Sequence, residues 1–332
     1  MNPMFVLAHL SDPHIPPLPE PRLPELIGKR ATGYFNWRVK RGMHHRADVL
    51  AKIVADLKAQ APHHIAVTGD LANLSLAAEF PIGLAFLTDL GTAEQVTVIP
   101  GNHDVYVRSH ARAHFAWRDF LLGDAAHEPA YPFVRRRGPL AIVGLSTGLP
   151  TAPFLATGKL GRQQLDALAQ TLEALGAENV FRTVLIHHPP AGTRPLHKRL
   201  TDAAAFRAVI ARSGAELILT GHDHRALHEE IAGPRGPVPV IGVPSASAAH
   251  GDPRGRAAYN LYQITQQAGR WRCEVERRGL DAAGSGVVSL ERFALGAPKT
   301  ATRSSAGKRR RVSAAQTAKR RRTGSRSRRS RR

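Results

Sequence analysis

Histidine, aspartate and asparagine recur in this 332-residue chain at one kind of place, immediately after a short apolar run. The run AELILTG (215–221) leads into His222, Asp223 and His224, and MFVLAHL (4–10) leads into Ser11, Asp12, Pro13 and His14. HHIAVTG (63–69) is followed by Asp70, QVTVIPG (95–101) by Asn102, His103 and Asp104, and RTVLI (182–186) by His187 and His188. Turn chemistry explains glycine, asparagine and aspartate at such places. It does not explain the histidines. Neutral imidazole and carboxylate suit borderline divalent ions such as manganese, iron or zinc. Residues i and i+2 of an extended segment point the same way, which would converge Asp12 with His14 and His222 with His224. With Asp70, Asn102 and one of the His187–His188 pair, the set reaches seven nitrogen and oxygen donors. That is too many for one tetrahedral ion and suits two adjacent ones. A carboxylate can bridge two ions, and Asp70 is the natural candidate. Two ions about 3.5–4 Å apart can bind a phosphoryl oxygen, generate a hydroxide and hold an in-line displacement.

Such a cluster needs strands whose carboxyl ends share one crevice, as in open α/β sheets. The pattern supplies them. Besides the runs above, LAIVGLS (140–146), VPVIGVP (238–244), AYNLYQIT (258–265) and WRCEVERR (271–278) read as strands. Amphipathic helical stretches fall between the early runs, near 45–60, 76–90, 108–122, 161–175 and 202–213. In RADVLAKIVADLKAQ, Val49, Ile53 and Leu57 mark one helical stripe. Alternation of this kind predicts a layered α/β fold. The strand-rich close of the chain predicts a second, largely antiparallel sheet. Residues 15–45 break the pattern with a Pro-rich and then basic, aromatic insert, long for a connection between strand and helix. Insertions at strand ends often shape a pocket, and the positive His44–Arg46 stretch that follows could meet a substrate phosphate.

The formal charge of +21 is unevenly placed. Residues 299–332 hold fifteen Lys and Arg and no acid; without them 32 basic residues face 26 acidic ones, a net +6. The segment 297–332 therefore reads as a disordered tail that can meet nucleic acid or an anionic membrane surface non-specifically. One cysteine, Cys273, excludes an intrachain disulfide and an all-thiolate metal site. No apolar stretch approaches the ~18 residues of a membrane helix. With no export signal visible, the expected location is cytoplasmic.

Taken in order, Asp12-Pro13-His14, Gly69-Asp70, Gly101-Asn102-His103-Asp104, His187 and Gly221-His222-Asp223-His224 resemble the signature of calcineurin-like metallophosphoesterases. The resemblance spans residues 5 to about 265 and looks closest to the branch of bacterial cyclic-nucleotide and glycerophosphodiester phosphodiesterases. It implies an α/β fold, a four-layer αββα sandwich of two mixed β-sheets flanked by helices, with one catalytic domain over 1–296. It implies two divalent metal ions (Mn, Fe or Zn). Asp12, His14 and His224 would hold one, Asn102, His187 and His222 the other, and Asp70 both. His187 is preferred to His188 on the family's spacing. His103 would stabilise phosphoryl charge and protonate the leaving oxygen, with Asp104 orienting it. The expected substrate is a small phosphodiester, attacked at phosphorus by metal-bound hydroxide. The alternatives are a nucleotide-linked lipid pyrophosphate of the UDP-diacylglucosamine type, a nucleic acid strand cut by a nuclease, or, outside enzymes, nucleic acid bound through the tail.

Overall fold

The computed structural model describes residues 4–39, 41–107, 115–252 and 254–296. The tail at 297–332 and the front of the helix expected at 108–122 lie outside the described residues.

Short apolar runs become strands because their two faces both find cover. One sheet contains β1 (Phe5–Leu10), β2 (His64–Val67), β3 (Val96–Val98), β10 (Ala258–Gln267), β11 (Arg270–Leu280) and β12 (Val287–Ala294). Its order is β12-β11-β10-β1-β2-β3. The other contains β4 (Phe133–Arg137), β5 (Leu140–Gly144), β6 (Phe181–Leu185), β7 (Leu217–Thr220), β8 (Leu227–Ile231) and β9 (Val238–Gly242), in the order β4-β5-β6-β7-β9-β8. Both are mixed. β1, β2 and β3 run parallel, as do β5, β6, β7 and β9, while the remaining neighbours are antiparallel.

Alternation along each strand builds the layers. In β1, Phe5 and Leu7 face a core shared with Leu140, Ile142, Leu217 and Leu219 of the other sheet. Ala8 and Leu10 face outward onto α2 (Ala47–Ala59) and α3 (Glu79–Leu90). On the far side, Ala141, Val143 and Ile218 pack beneath the helices Arg162–Gly176 and Ala203–Ser213. The result is helix, sheet, sheet, helix. In α2 the expected stripe is buried, with Ile53 and Leu57 fully out of water; each such side chain contributes about 1.5–3 kcal/mol.

One expectation needs correction. The closing strands form no sheet of their own. Gln263 and Asn260 of β10 pair across from Val6 and His9 of β1, so β10–β12 extend the first sheet, while β8 and β9 extend the second. The reason is that β1 and β7 are buried on both faces, so the backbone N–H and C=O groups along both their edges are cut off from water and need strand partners. The insert at 15–45 has secondary structure of its own. It contains helix α1 (Lys29–Val39), whose Tyr34 and Trp37 pack on Leu18, Leu74, Leu76 and Tyr106.

Candidate metal centre

The seven expected donors converge at the carboxyl ends of five strands. Asp12 and His14 follow β1, Asp70 follows β2, Asn102 follows β3, His187 follows β6, and His222 and His224 follow β7. They form two groups that meet at Asp70. In the first, His14 Nε2 lies 3.2 Å from His224 Nε2 and 3.6 Å from Asp70 Oδ2, and His224 Nε2 lies 3.1 Å from Asp12 Oδ1. In the second, His187 Nε2 lies 3.4 Å from Asp70 Oδ2 and 3.2 Å from Asn102 Oδ1, and His222 Nδ1 lies 2.9 Å from Asn102 Oδ1.

Convergence does not come from extended backbone. Asp12 (φ 50°), His14 (36°), Asp70 (57°), His222 (70°) and His224 (54°) are left-handed. Left-handed non-glycine residues cost of order 1–3 kcal/mol each and persist where the surroundings enforce them. Here the enforcement is visible: Asp12 N–H donates to Gly69 O and His14 N–H to Asp70 O, each at 3.0 Å. Gly221 is glycine for space rather than for its own torsion. A Cβ there would run into Ser11 Oγ and stand 2.6 Å from Asp12 Oδ2.

Backbone carbonyls fix three imidazoles. His14 Nδ1–H donates to Ala72 O (3.1 Å), His187 Nδ1–H to Thr68 O (2.6 Å) and His222 Nε2–H to Lys198 O (2.9 Å). Each arrangement leaves the other ring nitrogen as a lone pair facing the cluster, as metal-binding histidines require. Electrostatics favours added positive charge. Burial opposes a charge on His187, but Asp70 and then Asp12 outweigh it and push its pKa up to about 10. A divalent ion can take the place of that proton, so the imidazoles, an amide oxygen and two buried carboxylates fit two ions sharing Asp70. His188 is turned elsewhere, with Nδ1 on Thr147 Oγ1 (2.7 Å) and Nε2 on Ala156 O (3.1 Å).

Asp104 departs from expectation. Its carboxylate accepts the backbone N–H groups of Asp70 (2.7 Å), Gly101 (2.8 Å) and Ala72 (2.9 Å). It therefore fixes the turns carrying Asp70 and Asn102 rather than the His103 ring. The reason is that three buried amides at these turns have no strand partner and need a strong acceptor. The His103 ring is set instead by Asn73 O, 2.5 Å from Nδ1, and by Arg41, whose Nη1 donates to Nε2 at 2.9 Å. These contacts define the Nδ1–H tautomer. Burial, then Arg41, press the His103 pKa down to about 3.

Around the cluster opens a cleft of about 380 Å³. Lys29, Gly33, Asn36, Arg41 and His44 of the insert region line it together with Phe154, Lys198 and Arg254. His45 is buried with its ring 4.7 Å from that of His14, whereas Arg46 is at the surface on Asp48. The motifs do not announce Arg41, Lys29, Lys198 or Arg254. Only the concentration of base in the insert pointed at the first two. Asp223, between the two histidines of GHDH, pairs with Arg194 (2.9 Å) and is an anchor for the loop.

The calcineurin-like phosphoesterase family model matches residues 5–226. The chain belongs to that family. Its metal cluster and its family together make it a metal-dependent phosphoester hydrolase. A dimetal phosphatase from Danio rerio shares the fold at 13% identity and a TM-score of 0.54, over 87% of this chain and 99% of the other. A purple acid phosphatase from yellow lupin (Lupinus luteus) seeds does so at 10% identity and 0.57, over 89% of this chain and 54% of its own. At such identities the likeness is one of fold. No curated protein sequence matches the chain. Among the described residues no helix is long and apolar enough to cross a membrane.

Proposed function

We propose that this hydrolase cleaves a P–O bond at a doubly substituted phosphate in a small organophosphate, the chemistry of the cyclic-nucleotide and glycerophosphodiester branch. The observation that carries the reading is the pair of donor groups meeting at Asp70 beneath a cleft faced by His103 and Arg41. Asp12, His14 and His224 would hold one ion and Asn102, His187 and His222 the other. When bound, two divalent ions supply Lewis acidity and an activated water.

The chain's own groups do the rest. Arg41 stays protonated at any working pH and can accept a phosphoryl oxygen's charge through its N–H groups. As placed, it blocks His103 Nε2 and keeps that ring neutral. A phosphoryl anion between the two reverses both effects. It takes over the Arg41 donors, and its negative charge favours the imidazolium. His103 can then hold a proton at Nε2 and release it to the departing alkoxide oxygen. Asp104 keeps the turns under Asp70 and Asn102 in place.

The test is a panel of bis-aryl phosphate, aryl monophosphate, cyclic AMP, a glycerophosphodiester and a nucleotide-linked lipid, with manganese added. Turnover of the disubstituted phosphates in preference to the monoester supports the proposal. Turnover of the aryl monophosphate alone sinks it.

A further inference from the structure

His45 closes the insert and has no part in the donor set described above, yet its ring reaches that set. The ring is buried, with its centroid 4.7 Å from that of His14 and 5.8 Å from that of His224. One ring nitrogen from each of the three histidines lies within 4.8 Å of the others. Nitrogens held about 2.0–2.1 Å from one ion stand up to about 4.2 Å apart, so at most about half an ångström of ring movement gathers them. Backbone contacts place the ring. His45 bridges antiparallel to Ala248, Arg46 N–H donates to Ser247 O (2.9 Å) and Ala249 N–H to His44 O (2.8 Å). Ser245, in the same loop after β9, bridges to Ser11, the residue before Asp12. The end of the insert is thus tied to the turn that carries the first donors.

The direction of three hydrogen bonds decides which nitrogen is free. Ser245 Oγ–H donates to the carbonyl of Asp12 (2.6 Å), which leaves its own oxygen to accept. Ser247 Oγ, 3.3 Å away, donates to it and keeps a lone pair for His45 Nδ1–H at 2.8 Å. The ring is then the Nδ1–H tautomer, and Nε2 carries a lone pair. That atom is out of water and has no hydrogen-bond partner among the described residues. A buried acceptor left empty is costly, and a cation beside His14 and His224 satisfies it.

We propose that His45 Nε2 is an additional metal donor, joining Asp12, His14, His224 and Asp70 on the first ion. The second ion has two imidazoles and an amide oxygen besides Asp70. A third imidazole on the first inclines it to zinc or iron over manganese, because imidazole suits the former and oxygen donors suit the latter. The inference rests on the two-ion reading above. Its test is metal binding, which phosphodiester turnover does not enter.

The metal-free full chain is titrated with zinc and, separately, with manganese against a chromophoric chelator. In His45→Phe one zinc equivalent should bind about tenfold or more weaker, the least that losing even an outer partner of a metal site costs. The other equivalent should be unchanged, and the preference for zinc over manganese should narrow. Unchanged zinc binding, or equal weakening of both ions, overturns the proposal. A second measurement leaves His45 in place. In the cobalt-loaded chain, the proton on His45 Nδ1 should give a contact-shifted resonance in proton NMR. Ser247→Ala strips the hydroxyl that shelters this proton and should broaden the resonance by solvent exchange. The resonances of His14 and His187, held by backbone carbonyls, should stay sharp. A contact-shifted set indifferent to Ser247→Ala overturns the direct bond. A chain that binds zinc in this manner yet ignores every disubstituted phosphate would sink the substrate reading and leave His45 a ligand.

Discussion

Replacing His103 by alanine should cut turnover by about 10²–10⁴-fold, the usual worth of a positioned proton carrier. Metal content, measured by mass spectrometry of the desalted protein, should stay near wild type, because the ring faces Arg41 and Asn73. Loss of metal along with activity would reject the role. His187 and His188 make a sharper pair. His187→Ala should lose metal, and His188→Ala should keep it, since both His188 nitrogens already have protein partners. At this scale the sequence spoke clearly about donors, because imidazole after an apolar run has no turn preference to explain it. It said nothing of tautomers, and of Arg41 only that the insert is basic, because both depend on carbonyls and loops distant in the chain. It also misassigned Asp104, whose partners are main-chain amides that carry no residue-type signal.

Each donor is aimed by the turn that follows its strand. Asp104→Ala removes the acceptor for three buried amides and should lower metal affinity by about 10–100-fold, as outer partners of metal sites do. A titration with manganese would show it; unchanged affinity would mean that the turns hold without the carboxylate. Gly221→Ala should act similarly through crowding against Ser11 and Asp12. Strands and helices were legible where hydrophobic period and turn residues agree, as in β1, β7 and α2. Three strands escaped notice. β4 carries FVRRR and β8 LHEEI, polar edge strands whose pattern does not stand out, and β12 is largely exposed. Helix α1 was hidden because its inward residues are Tyr34 and Trp37 rather than an aliphatic stripe.

For the molecule as a whole, Asp56 is an instructive anchor. On α2, it accepts from Tyr259 Oη (2.5 Å) and from Arg278 through both oxygens (2.8 Å each), tying helix to sheet. Burial tends to raise its pKa, but the Arg278 and Tyr259 hydrogen bonds win and lower it. A carboxylate with a lowered folded pKa stabilises above its unfolded value and ceases to as pH falls through the folded one. Asp56→Ala should therefore cost about 1–2 kcal/mol near neutrality, discounted for partial exposure. The gap to wild type should narrow below pH of about 4. A gap independent of pH in denaturant melts would contradict this. The tail offers a separate test. Truncation after residue 296 should leave turnover of small esters unchanged and abolish steeply salt-dependent binding to nucleic acid or anionic vesicles.

Four of the seven donors sit on turns of the first sheet and three on turns of the second. The ions would thus act as a clasp between two halves of the sandwich, besides serving chemistry. Free metal at about a hundred times its dissociation constant should add about 2.7 kcal/mol to folding stability. A chelator should lower the melting temperature and hasten hydrogen exchange first where β1 and β6 face each other. Erosion of the clasp would then be visible in a chain given no substrate at all.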